Sequence, residues 1–536
     1  MSTGETNASK LLMTCRNPKT MSKPGGMVSP GRGPTLPDSG RSGIRHEGGV
    51  TPVQASLRNV GTCRGDAKGE SQAGSTGKGE RTEALHRGGA TRSRDEGPVM
   101  GRDRRGGVAR QARPDNRKRE DRQGQVKPFS ISKRDVFEAY KKVKANHGAA
   151  GVDGQSIEAF EEDLSNNLYR LWNRLASGSY LPPPVRRVDI PKGDGRTRPL
   201  GIPTVSDRIA QMVVQRYLEP ILEPVFHGDS YGYRPGRSAH QALAVARERC
   251  WRYDWVLDLD IQSFFDDIDH SLLVRALRQH TDCPWVLLYV QRWLKAPAQC
   301  GDGTLVARDK GTPQGGCVSP LLSNLFLHYT FDRWMRRHYP DIPFERYADD
   351  AICHCRSLNG AQALKAALEA RMAACGLRLH PQKTQVVYCR DANRKADYER
   401  CQFDFLGYTF RARFAKSSAG KRFMSFLPAI SRNAATAIRQ TVRRWRLHCW
   451  HTVALTDVTE EINAVLQGWV NYYGRFYRSA LYAVFDTLDQ YLVRWVRRKY
   501  KRFKFKVHRA REWLAAVRRC DPRLFVHWDL ASSGRQ

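Results

Sequence analysis

The aromatic residues are confined to the chain after residue 128, and this limits where a folded core can form. All 20 Phe, 20 Tyr and 12 Trp residues of the 536-residue sequence lie at or after Phe129. Residues 1–127 are rich in Gly, Arg, Ser and Pro and show no hydrophobic period. Such a segment buries too little apolar surface to offset the entropy lost on ordering. We therefore predict that residues 1–127 form a disordered basic extension.

The chain carries a large excess of positive charge. Its 89 Lys and Arg residues outnumber its 54 Asp and Glu residues, giving a formal net charge of +35. A solvated basic tail explains part of this excess, but basic residues also alternate with aromatic residues after Ala434. A basic surface of this extent is typical of proteins that bind a polyanion, most simply a nucleic acid.

Cysteine spacing and hydropathy bear on the compartment. The 13 cysteines include no CxxC pair, and the closest two, Cys353 and Cys355, would lie on one face of a strand. That spacing suits neither a disulfide nor a zinc ribbon, so free thiols in a reducing compartment are expected. No run of 18 apolar residues is present, and the N-terminus lacks the apolar centre of a signal peptide. We predict a cytoplasmic protein with no membrane partner.

Periodicity and capping residues predict a mixed α+β fold followed by helices. A helix capped by Ser132 and a second helix ending near Ala176 flank the Gly-rich loop GAAGVDG. The stretch YLPPPVRRVDIPKGDGRTRPLGIP is typical of strands broken by a PKGDG turn. Residues 207–227 are typical of an apolar helix. Strands and helices mix from about residue 255 to Phe410, and the pattern after about residue 430 is helical.

Two acidic segments stand out in apolar surroundings. In WVLDLDIQSFF, Asp258 and Asp260 fall on one face of a predicted strand and apolar residues on the other. In FERYADDAICHC, two apolar runs flank Asp349 and Asp350, which predicts a hairpin with both acids at its tip. Acids so placed are costly unless they are solvated or bind a cation. Two metals held by three carboxylates can activate a 3′-hydroxyl, although an ordinary exposed Asp-Asp turn explains YADD alone equally well.

A Gly-rich loop running into a helix lies between these acidic segments. In GTPQGGCVSPLLSNLFLHY, Ser319 is expected to cap the helix and Pro320 to occupy its first helical position. Glycine-rich loops let a ligand approach the backbone, and a plain connecting turn is the alternative. The strand acid, the loop with Gln314 and the acidic hairpin occur in one order along the chain.

This ordered set of motifs resembles the bacterial group II intron-encoded proteins, which combine a reverse transcriptase with a maturase. The resemblance runs from about Ile131 to about Trp528, through YGYRPGRSAHQAL, TPQGGCVSPLLSNLFL, RYADD, GLRLHPQKT, FDFLGYTF and GWVNYYGRF. It implies a right-hand polymerase, with fingers and palm in residues 128–415. An all-helical thumb or maturase domain would follow in residues 416–536.

The resemblance also implies roles for individual residues. Asp260, Asp349 and Asp350 would be the catalytic carboxylates and would hold two Mg²⁺ ions. The implied nucleotide-binding residues are Lys192, Arg198, Phe265, Gln314 and Lys383. Phe265 would crowd a ribose 2′-hydroxyl, although an ordinary core role beside Phe264 fits equally well, and a surface role is equally open for Lys383. The remaining acids, Asp258, Asp266, Asp267 and Asp269, are assigned structural or solvent roles.

The C-terminal segment is expected to bind RNA. The aromatic residues of GWVNYYGRF share a helical face that is interpreted as core, whereas RWVRRKYKRFKFK is too basic to be buried. Basic residues interleaved with aromatics suit phosphate contact and stacking on RNA. The predicted RNA-binding residues are Arg494, Arg497, Arg498, Lys499, Lys501, Arg502 and Lys504.

The implied activity is RNA-directed DNA synthesis combined with help in splicing. The expected partners are the intron RNA, target DNA and deoxynucleoside triphosphates, in a ribonucleoprotein whose protein could be a monomer or a dimer. No paired-cysteine nuclease domain follows LFVHW, so second-strand DNA cleavage is not expected. Two alternatives are a reverse transcriptase of the retron, diversity-generating or CRISPR-linked type, and a splicing factor whose polymerase site has decayed.

Overall fold

The computed structural model describes residues 127–191, 197–417 and 419–532. Residues 1–126 of the predicted extension and the predicted turn that contains Lys192 lie outside the described residues. The elements before the acidic hairpin are α1 (Lys133–Asn146), α2 (Ile157–Glu161), α3 (Leu164–Ala176), β1 (Val185–Pro191), β2 (Thr197–Ile202), α4 (Val205–Leu222), α5 (Ala239–Arg252), β3 (Trp255–Leu259), β4 (Ile261–Gln262), α6 (Phe264–Asp267), α7 (His270–Arg278), α8 (Pro284–Lys295), β5 (Ala298–Gln299), β6 (Leu305–Val306), α9 (Ser319–Leu327), a π-helical turn (His328–Asp332) and α10 (Arg333–His338).

The second half of the described chain contains the hairpin, two further groups of strands and the C-terminal helices. These elements are β7 (Phe344–Tyr347), β8 (Asp350–Cys355), α11 (Leu358–Ala374), β9 (Arg378–Leu379), β10 (Gln385–Tyr388), β11 (Gln402–Phe405), β12 (Tyr408–Lys416), β13 (Arg422–Ile430), α12 (Arg432–Trp445), α13 (Leu455–Tyr473), α14 (Tyr482–Lys499), α15 (Val507–Cys520) and α16 (Val526–Ser532).

The N-terminal helices follow the prediction except for one break. Ser132 caps α1, where its Oγ accepts a hydrogen bond from the Asp135 N–H at 3.0 Å. The single helix predicted to end near Ala176 is two helices, α2 and α3. The chain leaves the helical conformation at Asp163, which accepts a hydrogen bond from Asn166 Nδ2 at 2.9 Å. Aspartate favours such a break because its side chain competes with the backbone for local hydrogen bonds.

The strands around the predicted PKGDG turn and the apolar helix after them are both present. β1 and β2 pair in antiparallel register, as expected. The helix predicted over residues 207–227 is α4, which begins after Thr204, whose Oγ1 accepts from the Asp207 N–H at 3.1 Å. It ends at Leu222, five residues before the predicted end, because Pro224 has no N–H with which to continue the helical hydrogen bonds.

A four-stranded antiparallel sheet in the order β10–β3–β8–β7 has a separate hydrophobic core on each face. Leu257 and Cys353 belong to the larger core, which contains most of the helices before α12. Val256 and Ile352 belong to the second core, which contains β11–β13 and the C-terminal helices. Since side chains alternate along a strand, Asp258 lies on the Val256 face.

The sheet formed by β11, β12 and β13 extends further along the chain than expected. β13 lies within residues 416–536, which were predicted to be all-helical, so that prediction is wrong for Arg422–Ile430. These residues pair with the whole length of β12 and bury Phe426 in the second core. Pairing with β12 thus determines the structure of Arg422–Ile430, and the C-terminal helices begin at Arg432.

The C-terminal helices bury the aromatic face that was interpreted as core. Trp469 and Tyr473 are buried, and Tyr472 and Phe476 pack against the same core, which confirms this interpretation. The cysteines in the described part of the chain are free thiols, also as expected. Within that part, no helix combines the length and apolar character needed to cross a membrane.

Candidate active site

The acidic hairpin has a two-residue turn, which confirms its prediction. Tyr347 pairs with Asp350, so Ala348 and Asp349 form the turn. Ala348 has a φ of 58°, a left-handed conformation that costs a residue with a Cβ about 1–2 kcal/mol. Such strain persists only where the surrounding structure imposes it, and it is frequent at functional sites.

The YGYRPG segment packs directly against this turn. A Cβ on Gly232 would lie 2.3 Å from the Ala348 backbone nitrogen, so only glycine fits without a backbone shift. The neighbouring Tyr231 N–H donates to the Arg346 carbonyl at 2.8 Å. Asn324 of α9 donates from Nδ2 to the Gly232 carbonyl at 2.7 Å. Contacts among the YGYRPG segment, α9 and the hairpin, which are distant in the sequence, therefore fix the conformation of the acidic turn.

Arg346 lies at the centre of a buried polar network beneath the turn, and sequence reasoning did not single it out. Its side chain is 1% exposed and pairs with Asp332 through two hydrogen bonds, at 2.7 Å from Nε and 2.6 Å from Nη2. Its Nη1 donates to the Ala348 carbonyl at 3.0 Å and to Asn324 Oδ1 at 2.9 Å. A signal was present in the sequence, because a charged residue in a short strand before an acidic turn needs a buried partner.

The register of the sheet distinguishes Asp260 from Asp258. β3 and β8 run antiparallel, with Asp258 opposite Ile352 and Leu259 opposite Ala351. Asp260 and Asp350 are the next residues after the last pair, Leu259 and Ala351, so continuing this register by one step would set them opposite each other. Opposite positions on antiparallel strands place their Cβ atoms about 4.5–5.5 Å apart on the same face. Asp260 and Asp350 both line the cleft at this end of the two strands, whereas Asp258 is opposite the apolar side chain of Ile352.

Asp258 differs from Asp260 in its environment as well. Burial raises the pKa of the Asp258 carboxyl to about 7, although Gln385 donates to its Oδ2 at 3.2 Å. Asp260 is instead about one-third exposed and has the ammonium of Lys383 3.4 Å from its Oδ2. Lys383 was expected near the reacting groups, and the structure brings it to Asp260.

A cleft of about 1000 Å³ opens beside these groups. Asp258, Asp260 and Asp350 line it together with Lys383 and a set of basic residues. Those basic residues are Arg390, Arg400 and Arg411. Glu399 and Asp404 also line the cleft, so its lining carries both carboxylates, which suit a bound cation, and basic groups, which suit a polyanionic substrate.

The GLRLHPQKT segment fixes the backbone at Asp260. The His380 N–H donates to the Asp260 carbonyl at 2.7 Å. The Thr384 hydroxyl contacts the same residue twice, accepting from its N–H at 3.3 Å and lying 3.4 Å from its carbonyl oxygen. Thr384 was not among the predicted residues, and its role is to hold Asp260 in place.

Two of the predicted nucleotide-binding residues, Arg198 on β2 and Gln314 in the loop before α9, are in contact. Arg198 of β2 donates from Nε to Gln314 Oε1. The Gly201 N–H donates to the Gln314 carbonyl at 2.8 Å, and a Cβ on Gly315 would lie 2.2 Å from the Gly201 carbonyl oxygen. Gly315 has a φ of 130°, so glycine is required both for this conformation and for the close approach. Lys192, which was also predicted to bind the nucleotide, lies outside the described residues.

Phe265 is a core residue in this structure. It is buried beside Phe264, with ring centroids 5.2 Å apart, and its carbonyl accepts from the Thr312 N–H at 2.7 Å. Its ring belongs to the larger core, as the alternative interpretation expected.

Ser319 does not cap α9, so that prediction is wrong. The cap position is Val318, and Ser319 is the first helical residue. The Thr312 hydroxyl donates to Ser319 Oγ at 2.9 Å. This side chain–side chain contact, which local sequence cannot show, takes the place of a capping bond.

Two further residues near the predicted site were missed. Arg308 follows β6, and its guanidinium opposes the rise in pKa that burial causes at Asp266, next to Arg198 and Gln314. Tyr233, which lies within the YGYRPG segment, has a φ of 57° and is 42% exposed. Neither residue had a sequence signal beyond its proximity to a motif.

The predicted RNA-binding residues are mostly exposed, but two of them also make backbone contacts. Lys499 donates to the Val453 carbonyl at 2.7 Å, and Arg497 donates from Nε to the Lys504 carbonyl at 3.1 Å. Phe505 follows in the same segment with 83% of its surface exposed. The exposed members of the predicted set are Arg494, Arg498, Lys501, Arg502 and Lys504.

The chemistry of the acids is compatible with a hard divalent cation. Carboxylate oxygens are the preferred ligands of Mg²⁺, and Asp260 and Asp350 face the cleft from adjacent strands. Among the residues that the structure describes, no three His, Cys, Asp or Glu side chains form a close metal-binding group. Asp349, at the tip of the turn, is not among the residues that line the cleft.

Comparisons with known proteins agree with this geometry. Residues 190–410 match the family described as "Reverse transcriptase (RNA-dependent DNA polymerase)", and residues 435–513 match "Group II intron, maturase-specific domain". Protein YkfC of Escherichia coli K12 is 31% identical over 55% of this chain and 84% of its own length. The group II intron-encoded protein LtrA of Lactococcus lactis is 35% identical over 36% of this chain, but the match spans only 32% of LtrA.

Proposed function

Since the chain belongs to the family of group II intron-encoded reverse transcriptases and maturases, we propose that it copies an intron RNA into DNA and assists the splicing of that RNA. It carries a reverse transcriptase domain and a maturase-specific domain. The observation that best supports the polymerase assignment is that Asp260 and Asp350, the residues next to the last pair of β3 and β8, line one cleft together with Lys383 and three arginines.

The proposed architecture is that of a right-hand polymerase. The sheet that carries Asp260 and Asp350 corresponds to the palm, and α1–α3 with β1 and β2 to the fingers. The helices from Arg432 onward correspond to a thumb, which begins later than the predicted boundary at residue 416. The resemblance supports this division, and the two separate cores on either side of the palm sheet are consistent with it.

Asp260, Asp349 and Asp350 are the proposed ligands of two divalent ions, with Mg²⁺ as the expected metal. Such ions, when bound, activate a primer 3′-hydroxyl and stabilise the charge on a leaving pyrophosphate. The protein itself orients the carboxylates, through the sheet register for Asp260 and Asp350 and through the Ala348 turn for Asp349. Lys383, beside Asp260, is positioned to neutralise charge on the departing pyrophosphate.

We assign nucleotide binding to Arg198 on β2 and to the loop before α9 that contains Gln314. Arg198 supplies a planar guanidinium suited to phosphate oxygens, and Gln314 orients it through their hydrogen bond. Lys192 is proposed to add a second cation. The ring of Phe265 is buried. We therefore propose that this residue contacts the ribose only through its backbone, whose carbonyl accepts a hydrogen bond from the Thr312 N–H.

Splicing help requires RNA binding without a catalytic residue in the protein. The exposed Arg and Lys residues of the segment from Arg494 to Lys504 are proposed to contact RNA phosphates. The exposed ring of Phe505 is suited to stacking on an unpaired base. Target DNA and deoxynucleoside triphosphates are the further proposed partners, within a ribonucleoprotein that contains the intron RNA.

Primer extension on poly(rA)/oligo(dT) with Mg²⁺ tests the polymerase assignment. The folded protein is expected to extend the primer, to stop when EDTA removes the metal, and to resume when Mg²⁺ is restored. Absence of extension by a protein that is folded by circular dichroism and still binds intron RNA would instead support a splicing factor with a decayed polymerase site.

A further inference from the structure

The strands β12 and β13 form a ribbon that extends beyond the core. They pair continuously from Tyr408 opposite Ile430 to Lys416 opposite Arg422. At about 3.3 Å per residue, the ribbon is roughly 27 Å long. Its inner half is buried in the second core, and its outer half comprises residues 413–417 and 419–425. We call this outer half the arm.

The arm exposes aromatic side chains that a free protein surface does not require. Phe414 is 66% exposed, and Phe423, on the opposite face of the ribbon, is 42% exposed. The Phe414 backbone is held in place, since its carbonyl accepts from the Tyr477 hydroxyl at 3.3 Å. Each face of the ribbon therefore offers one large exposed ring that is available for contact with a partner.

The charge of the arm identifies the kind of partner. The stretch from Arg411 to Leu427 contains five basic residues and no Asp or Glu. Lys416 and Arg422 are directly opposite each other, and like charges in that position destabilise a strand pair. In the described part of the chain, neither these two residues nor Lys421 forms an ion pair with an acid. A polyanion would relieve this repulsion.

The position of the arm relates it to the active site. Arg411, Ala412 and Met424 line the same cleft as Asp260 and Asp350. The middle of the ribbon therefore borders the cleft, and the end with Lys416 and Arg422 lies beyond it. A nucleic-acid duplex formed at the carboxylates would pass along the ribbon as it leaves the cleft.

We infer that the arm binds the RNA–DNA duplex that has just been synthesised and so keeps the enzyme on its template; this inference rests on the proposed polymerase function. A two-stranded ribbon is narrow enough to follow a nucleic-acid groove. The A-form minor groove is wide and shallow, so Phe414 and Phe423 can pack on sugars and base edges there. Lys416, Lys421 and Arg422 then reach phosphates on either strand.

Two arm variants test this inference, Phe414→Ser with Phe423→Ser, and Lys416, Lys421 and Arg422 each replaced by Gln. The first measurement is the length of cDNA made in one binding event, with excess unlabelled duplex as a trap. We expect both variants to shorten it by about tenfold, the effect of losing one stacked ring or a few phosphate contacts. The rate of adding a single nucleotide at saturating duplex is expected to stay unchanged.

Matched control variants use exposed residues far along the chain from the arm. Phe137 on α1, at 41% exposure, is replaced by Ser, and Arg333, Arg336 and Arg337 on α10 are each replaced by Gln. These variants are expected to retain wild-type product length. Thermal melting of all variants establishes that they are folded.

A second measurement separates this inference from the polymerase assignment. Affinity for a preformed RNA–DNA duplex, titrated with salt, requires no synthesis. The charge variant is expected to bind about tenfold more weakly and with a salt slope lower by about two to three. Unchanged product length and unchanged duplex affinity would overturn the inference. So would a loss confined to intron RNA binding, because the arm would then contact the intron and not the product.

Discussion

Asp349→Asn is expected to lower cDNA synthesis by at least about a thousandfold, a typical loss when one charge-stabilising group is removed from a reacting centre. Asparagine has nearly the shape of aspartate, so the Ala348 turn and the hairpin register should survive. Intron RNA binding and splicing assistance should remain close to wild type, because the RNA itself carries out the splicing chemistry. Primer extension and a splicing assay on the same protein preparation measure the two activities.

Asp302→Asn is the matched control for this change. Asp302 is an exposed acid in the turn between β5 and β6, as Asp349 is a partly exposed acid in the turn between β7 and β8, and it accepts a hydrogen bond from the Thr304 N–H at 3.0 Å. Its replacement should leave both activities intact. If Asp349→Asn removed splicing assistance together with synthesis in a folded protein, the proposed division of labour between the acids and the basic surface would be wrong.

Arg346→Ala is expected to lower the free energy of unfolding by about 3–5 kcal/mol, because it leaves the buried carboxylate of Asp332 without its partner. The same change removes the donor to the Ala348 carbonyl, so the strained turn loses support and DNA synthesis should fall as well. Urea denaturation gives the stability, and primer extension below the unfolding transition gives the activity.

Two further variants separate the structural role of Arg346 from its positioning role. Arg346→Ala combined with Asp332→Ala removes both charges, so it should be more stable than Arg346→Ala alone. Arg346→Lys keeps the charge but cannot bind Asp332 and the turn at once, so it should regain stability more than activity. A double variant no more stable than the single one would contradict the assignment of this ion pair.

The parts of the site that follow from local pattern were predictable from the sequence. The alternation of Asp258 and Asp260 with apolar residues and the apolar runs around Asp349 correctly indicated a strand and a hairpin. The choice of Asp260 over Asp258 came from motif resemblance alone. Its physical basis is the pairing of β3 with β8, which joins residues about ninety positions apart and has no local signature.

The features that sequence reasoning missed depend on contacts between distant segments. Arg346 is defined by Ser230, Asn324 and Asp332, which come from two other parts of the chain and include the end of a π-helical turn. β13 is a strand because it pairs with β12 and packs in the second core, although the following chain is helical. Local propensity gives no measure of such partners.

The register of Asp260 and Asp350 is the central claim, and the most direct test is primer extension by Asp260→Asn and Asp258→Asn side by side. The two acids lie two residues apart and on the same face, so the pair controls for the substitution itself and for its place in the sheet. Asp260→Asn is expected to lower extension by at least about a thousandfold, whereas Asp258→Asn should remain within about tenfold of wild type. The reverse order, or equal loss in two folded variants, would contradict the proposed site.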